Sequence, residues 1–513
     1  MDAFVSVLQF IGDEILNVPA YLIGIIVAIG LIALRRSVGQ VVGGALKAAL
    51  GFLILGAGAG VVTSSLTPLG DLVLAVTGAQ GVVPTNEVIT AQAASEFGAT
   101  SAYILSLGFL LMLILVRFSP LKYVFLTGHH MVFMAMLLAV VMSVGFGQGF
   151  TTVLVGAVLL AVIMVVMPAF AHPWTKRITG TDTIAMGHFS TLGYIAAGAT
   201  GQAVGKNSRS TEDIKFPKGL AFLRDSTVAT ALSMVLIYLV FTIWGLISLG
   251  DGAYEYLGSA TAGSFIMAGI MQALMFGVGV AVILFGVRTF LGELIPAFQG
   301  IAERVVPGAK AALDIPVVFP YAQNAVLIGF LASFAGGLFS LMLLGLWLGP
   351  AFGLALILPG MVPHFFTGGG AGVYGNATGG RRGAVLGGFV NGILITFLPA
   401  FLLNVMGDLG VGQSTFGDTD FGWFGTAVGL VAQVESTTLG IILCLIVAAV
   451  LFAVAWVWQV RVVDRGWMPA ADRQARLDAE QAAAKASAEE ERAARRAARG
   501  AKQSSEGAKQ SSE

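Results

Sequence analysis

Four of the five histidines in this sequence, His129, His130, His188 and His364, sit in runs otherwise free of charge. Imidazole can donate and accept hydrogen bonds and titrates near neutrality. Burying it among apolar groups is costly unless it finds a partner or a wet cavity. His129 and His130 are adjacent in LTGHHMVF. Neighbours on a helix point about 100° apart, so the two rings do not share one face. One is expected to face a cavity while the other packs or meets solvent. For His129, a buried histidine bonded to a neighbouring helix fits as well as a ligand does. His172, just before Pro173, reads as interfacial.

Carboxylates are the second set. Asp314 stands in AALDIPVVFPYAQNA, where two prolines break any helix and free backbone groups. A carboxylate there can accept hydrogen bonds from sugar hydroxyls, bind a cation, or cap a helix. Asn86 and Glu87 follow Pro84 in a similarly interrupted stretch, where a solvated loop is the alternative. Arg288 and Glu293 share FGVRTFLGELIPAF. Their spacing does not make them neighbours on one helix face, so each is expected to bind another helix. LPGMVPHFFTGGGAGVYGN holds glycines suited to close backbone approach, either to a ligand or to another helix. No P-loop pattern is present, which argues against an ATPase. The single cysteine, Cys444, lies in an apolar run and has no disulfide or metal partner. No cofactor or metal site is expected.

The elements that position these residues follow from charge. The chain is 57% hydrophobic and 11% charged, against about 25% charged in soluble proteins. No Asp, Glu, Lys or Arg occurs from Tyr123 to Trp174 or from Ile315 to Gly380. A bilayer-spanning helix needs about 20 apolar residues. The pattern therefore predicts an all-α polytopic membrane protein of about 11 spans. Net charge is zero, so no nucleic-acid partner is implied. The first run, Ile15 to Leu34, ends in Arg35-Arg36 and reads as a retained span with the N-terminus outside. Further spans are expected at 41–62, 97–116, 123–146, 151–171 and 226–250, then within 256–287, 317–346, 351–366, 385–405 and 437–460. Asp408, Asp418 and Asp420 read as an acidic outer loop.

Thr183 to Gly205 lies between two basic loops, so it reads as a re-entrant hairpin returning to the cytoplasmic side. Phe421 to Val434 is too short to cross and reads as a second hairpin. With the first span set aside, five spans and one hairpin occur twice, over 41–250 and 256–460. An odd number of spans per unit makes the two copies inverted, a plan typical of transporters. Thr181-Asp182 and Thr419-Asp420 echo each other as hairpin openers. So do the segments beginning at Gly51 and Val287. The transmembrane domain ends at about residue 463. Residues 464–513, rich in Ala, Glu, Arg, Gln and Ser, read as a solvated cytoplasmic tail.

Several of these motifs in order resemble one family. GFLILGAGAGVVTSSLTPLG, LTGHHMVF, IAMGH, EDIKFPKGL, GVRTFLGELIPAFQGIAERVVPGAKAALDIP, FPYAQNAVLIGF and LPGMVPHFF cover most of residues 15–460. Together they resemble the ascorbate-specific IIC membrane component of the bacterial phosphotransferase system. The resemblance implies an inner-membrane homodimer with core and scaffold (dimerisation) subdomains. It also implies L-ascorbate uptake coupled to phosphorylation by cytoplasmic A and B components. By position it puts the substrate site on Asn86, Glu87, His129, His130, Met131, Val132, Phe133, His188, Phe189 and Asp314. The family has a hydroxyl and an aromatic where this chain has Asn86 and Glu87, and glutamines where it has Phe133 and Phe189.

The expected function is thus a phosphotransferase-system permease for ascorbate or a related sugar acid. The chain supplies binding and orientation but no phosphorylated residue. The alternative is a proton- or sodium-coupled secondary transporter, with Asp314, Glu87 and the histidines as the ion relay.

Overall fold

The computed structural model describes residues 18–214 and 226–473. The start of the first apolar run, the basic Lys215, Lys218 and Arg224, and the tail beyond residue 473 lie outside the described residues. Contacts divide the chain into one unit ending at Trp467 and a second from Met468, and the long helices belong to the first. Among the described residues, nine helices are long and apolar enough to cross a membrane. The chain is an all-α polytopic membrane protein with six short strands added.

In chain order the elements are α1 (Pro19–Ala33), α2 (Val38–Thr77), β1 (Gly81–Pro84), α3 (Asn86–Phe118), β2 (Tyr123–Phe125), α4 (Gly128–Phe146), α5 (Phe150–Thr179), β3 (Ile184–Met186) and α6 (Thr191–Val204). They continue with α7 (Ser226–Leu249), α8 (Ala262–Val305), β4 (Lys310–Leu313), α9 (Gln323–Leu343), β5 (Leu356–Ile357), α10 (Gly369–Leu402), β6 (Ser414–Thr415), α11 (Thr419–Ala432) and α12 (Thr437–Trp458).

Two helices run far past their expected ends. α2 has 40 residues and continues through Pro68, and α8 has 44 and continues through Pro296. Each starts at a reciprocal cap, Ser37 with Gln40 and Thr261 with Ser264, which satisfies otherwise orphaned backbone donors. The two helices cross on glycines. A Cβ on Gly51 would collide with the α8 backbone at Phe290 and Gly286, and one on Gly58 with Ile283 and Gly279.

α10 is two arms. Gly380 has φ 58° and ψ −147°, a conformation open only to glycine, and the chain reverses there. Gly372 and Gly388 on the two arms both meet Gly329 of α9, and Gly375 lies against Gly383. The glycines after LPGMVPHFF therefore serve tight helix packing.

The six strands form two three-stranded parallel sheets, in the orders β5-β1-β6 and β2-β4-β3. β1 pairs its Gly81 and Val82 with Leu356 and Ile357, and its Val83 and Pro84 with Ser414 and Thr415. β4 pairs its Ala311 with both Val124 and Ile184. Each sheet takes its centre strand from one half of the chain and both edges from the other. Exchanging β1–β3 with β4–β6 turns one order into the other. Backbone inside a membrane must be hydrogen-bonded within the protein, and these ladders do so for the extended segments.

Both short hairpins enter as a strand and return as a helix. The β3–α6 segment begins at Asp182, bonded to Lys176, and ends at Gly205, beside Gly379. Arg177 donates to the Ala377 carbonyl, so both ends lie together. The β6–α11 segment begins where Gln80 donates to Gly412 and ends where Gln433 donates to Val405. Gly410 lies beside Leu403, so these ends also meet.

The hairpin tips meet each other. Asp420 accepts from the Thr191 and Leu192 amides at 2.8 and 3.0 Å, and its own amide donates to the Phe189 carbonyl. This corrects the outer-loop reading of Asp418 and Asp420, which are 2% and 0% exposed. The echo of Thr181-Asp182 in Thr419-Asp420 is likewise not a positional match. Asp182 is half-exposed at the start of one hairpin, whereas Asp420 is at the tip of the other.

Candidate functional site

Each strand runs into a residue of one cavity. Asn86 and Glu87 follow β1, His129 and His130 follow β2, His188 follows β3 and Asp314 follows β4. Val362 and Pro363 follow β5, and Asp418 follows β6. Where a ladder stops and a helix starts, these side chains border one shared space. That space is about 570 Å³, within the range of small-molecule sites.

Of the ten residues expected at the site, Asn86, Glu87, His129, His130, Phe133, His188 and Asp314 line this cavity. Met131, Val132 and Phe189 are buried and do not. Val132 faces an apolar crevice with Phe52 and Phe290. Phe189 stacks on Phe125 at 4.7 Å behind the wall. Both adjacent histidines reach the cavity, contrary to the expected split. They stand on the first turn of α4, and the cavity wraps around that helix end. His130 lies deep, and His129 is 29% exposed.

The polar atoms are spaced for a guest. His129 Nε2 is 3.4 Å from Asp314 Oδ2, and His188 Nε2 is 3.8 Å from Asp314 Oδ1. Asp418 Oδ2 is 3.9 Å from His130 Nε2 and 4.0 Å from His188 Nε2. The three longer separations exceed a hydrogen bond, so these donors and acceptors stay available. Asp314 is also a cap, accepting from the Ile315 amide at 2.7 Å. The cap reading therefore holds, and the same residue also lines the cavity. Glu87 is 8% exposed on the first turn of α3, not in a solvated loop, and its Oε2 has no hydrogen-bond partner among the described residues.

Supporting bonds fix the rings. The Phe189 amide donates to His130 Nδ1 at 3.4 Å, and His188 Nδ1 meets the Tyr194 hydroxyl at 2.9 Å. The first bond puts the His130 proton on Nε2, facing Asp418. His129, His130 and Asp314, and likewise His130, His188 and Asp418, are close enough to hold a metal ion. In this tautomer, however, His130 offers a proton toward the carboxylate where a metal would need a lone pair. Asn86 Oδ1 accepts from the Gly417 amide at 2.8 Å, tying α3 to the turn that carries Asp418. The arrangement alternates imidazole donors with carboxylate acceptors, which suits a compact polyhydroxylated ligand.

Other candidates resolve elsewhere. His364 bonds Ser333 at 2.8 Å, outside the cavity. His172 is fully buried rather than interfacial, and bonds Asp182 at 2.9 Å. Glu293 pairs with Lys47 of α2 at 3.0 Å, while Arg288 lines the cavity from α8. Asp418 is the acid that the sequence reading missed. It stands beside the expected second hairpin, but charge was taken there as a mark of solvent.

Comparison with known proteins decides the class. Residues 14–420 match the family described as PTS system sugar-specific permease component (EIIC-GAT). This chain belongs to that family. It is the membrane-embedded, multi-pass sugar permease component of a phosphotransferase system, a transporter subunit that works with a cytoplasmic IIB partner. It is similar to the ascorbate-specific PTS system EIIC component of Mycoplasma pneumoniae, with 27% identity over 449 residues. The alignment covers 79% of this chain and 68% of the Mycoplasma protein.

Proposed function

We propose that this permease takes up L-ascorbate, or a closely related sugar acid, and presents it to the B component for phosphorylation. One observation carries the reading. Three histidines and the carboxylates of Glu87, Asp314 and Asp418 converge on one cavity from the ends of five of the six strands. The named specificity of the Mycoplasma relative supports the same substrate. Hydroxyls of the guest bridge His188 to Asp314 and His130 to Asp418, and Asn86, Glu87, His129 and Phe133 complete the contact surface. Met131, Val132 and Phe189 belong to the site as its backing. Two inverted units, 41–250 and 256–460, flank it within a domain of residues 1–463, and 464–513 form the tail. The exchange symmetry of the two sheets supports that division.

Lys122, Lys176, Arg177 and Lys310 gather at one end of the molecule. By the positive-inside rule this end faces the cytoplasm, with the N-terminus outside and the C-terminus inside a bacterial plasma membrane. The chain works as a homodimer and supplies binding and orientation, which account for much of such catalysis. The phosphate comes from the B component.

Proteoliposomes test this. With phosphorylated B component inside, labelled ascorbate accumulates as its phosphate ester and no label from phosphate stays on this chain. Uptake without B component that collapses with a proton or sodium gradient would contradict the reading. It would instead favour the ion-coupled alternative, for which the histidine–carboxylate pairs are also suited.

A further inference from the structure

The cavity has two unlike walls. The strand ends supply its carboxylates and histidines, and α8 supplies the opposite side. On α8 the lining side chains are Leu284, Val287, Leu291, Ile295 and Pro296, with Arg288 the one polar group. Among the described residues that line the cavity, Arg288 is the one Lys or Arg. Arg288 is exposed, and its side chain makes no hydrogen bond or ion pair among the described residues. Arginine stays charged at any physiological pH, and its planar fork suits carboxylates and enolates. One turn further, Gly292 also lines the cavity, and a Cβ added there would meet nothing within 4 Å. An unpaired cation thus stands beside open space on an apolar surface, where a charge pair is stronger than in water.

On the other wall, Glu87, Asp314 and Asp418 offer no positive charge to an anionic sugar acid. Those carboxylates accept from hydroxyls, and the unpartnered Oε2 of Glu87 has such a vacancy. We infer that Arg288 is the specificity residue for the substrate's negative charge. It holds the ionised group over Gly292 against α8, while the hydroxyls turn toward the strand ends. This inference rests on the sugar-acid reading above and adds the orientation of the substrate. It also makes α8 a wall that selects anions, whereas the opposite wall selects hydroxyl geometry.

The test is equilibrium binding to the purified full chain with two probes. L-ascorbate is a monoanion at neutral pH, and L-gulono-1,4-lactone is a neutral relative of similar shape. Wild type is expected to prefer the anion by about 10- to 100-fold, the scale of one charge-assisted contact. Arg288→Gln abolishes that preference without changing lactone affinity, which also reports that the variant is folded. Arg288→Lys keeps part of it. A preference undiminished in Arg288→Gln would overturn the inference and leave the ascorbate reading standing. Equal loss of both ligands in Arg288→Gln would make Arg288 a structural residue and also overturn it. Wild-type protein that binds neither probe would overturn the ascorbate reading itself, and the inference with it.

Discussion

Asp418 and Asp420 stand two positions apart and do different work. Asp420 accepts from the Thr191 and Leu192 amides, the Thr419 hydroxyl and the Trp423 indole, so it is fully used in holding the tips together. Asp420→Ala strips one buried and one part-buried amide of their acceptor, at a cost of about 2–5 kcal/mol. A lowered melting temperature in detergent is the expected outcome. Asp418→Asn keeps the shape of the turn, so its melting temperature should match wild type while ascorbate binding weakens about 10-fold or more. A reversed pattern, with Asp418 critical for folding and Asp420 for binding, would contradict the assignment. The histidines were legible because ionisable groups are rare in such runs. Asp418 was not, because charge between apolar segments ordinarily marks water. Here a neighbouring hairpin and two imidazoles replace the water, and one sequence segment alone does not reveal that.

Spans were legible at the scale of elements because apolar length is a strong signal. The strands were not, being two to four residues long, too short for any period to emerge. Helix ends were also missed. Capping and glycine-mediated crossing carry α2 and α8 beyond the apolar runs that revealed them. Gly380→Ala would force a side chain into a glycine-only conformation and against the Ser208 and Arg209 carbonyls. A loss of about 1–3 kcal/mol is expected, read as a lower unfolding midpoint; an unchanged midpoint would remove the reversal from α10.

The first hairpin is anchored by Asp182, which bonds His172, Lys176 and Lys310 at 2.9, 3.2 and 2.9 Å. Burial alone would raise its pKa, but those three partners outweigh it and hold the carboxyl well below the usual range. A lowered folded-state pKa contributes stability that is in full above the ordinary carboxylate range and lost only in strong acid. The anchor therefore persists at every physiological pH. Asp182→Asn should speed hydrogen exchange in β3 about 2- to 5-fold at neutral pH, the scale of a solvent-screened pair. Wild-type exchange in the variant would show that the ion pairs do not hold the strand.

Across the whole molecule, strands from both halves of the chain interlock in two sheets whose ends line one cavity. The molecule's orientation is testable because Cys444 is the only cysteine and is buried. In a Cys444→Ala background, Ser208→Cys should react with an impermeant thiol reagent only from the cytoplasmic side. Asp251→Cys should react only from outside, and labelling from the same side would break the topology. The central claim is that the strand ends form the substrate site, and ligand binding tests it most directly. Purified wild-type protein, Asp314→Asn and His188→Ala are to be titrated with L-ascorbate after each is shown to be folded. Affinity about 10- to 100-fold weaker in both variants is the predicted result. Wild-type affinity in both would contradict it.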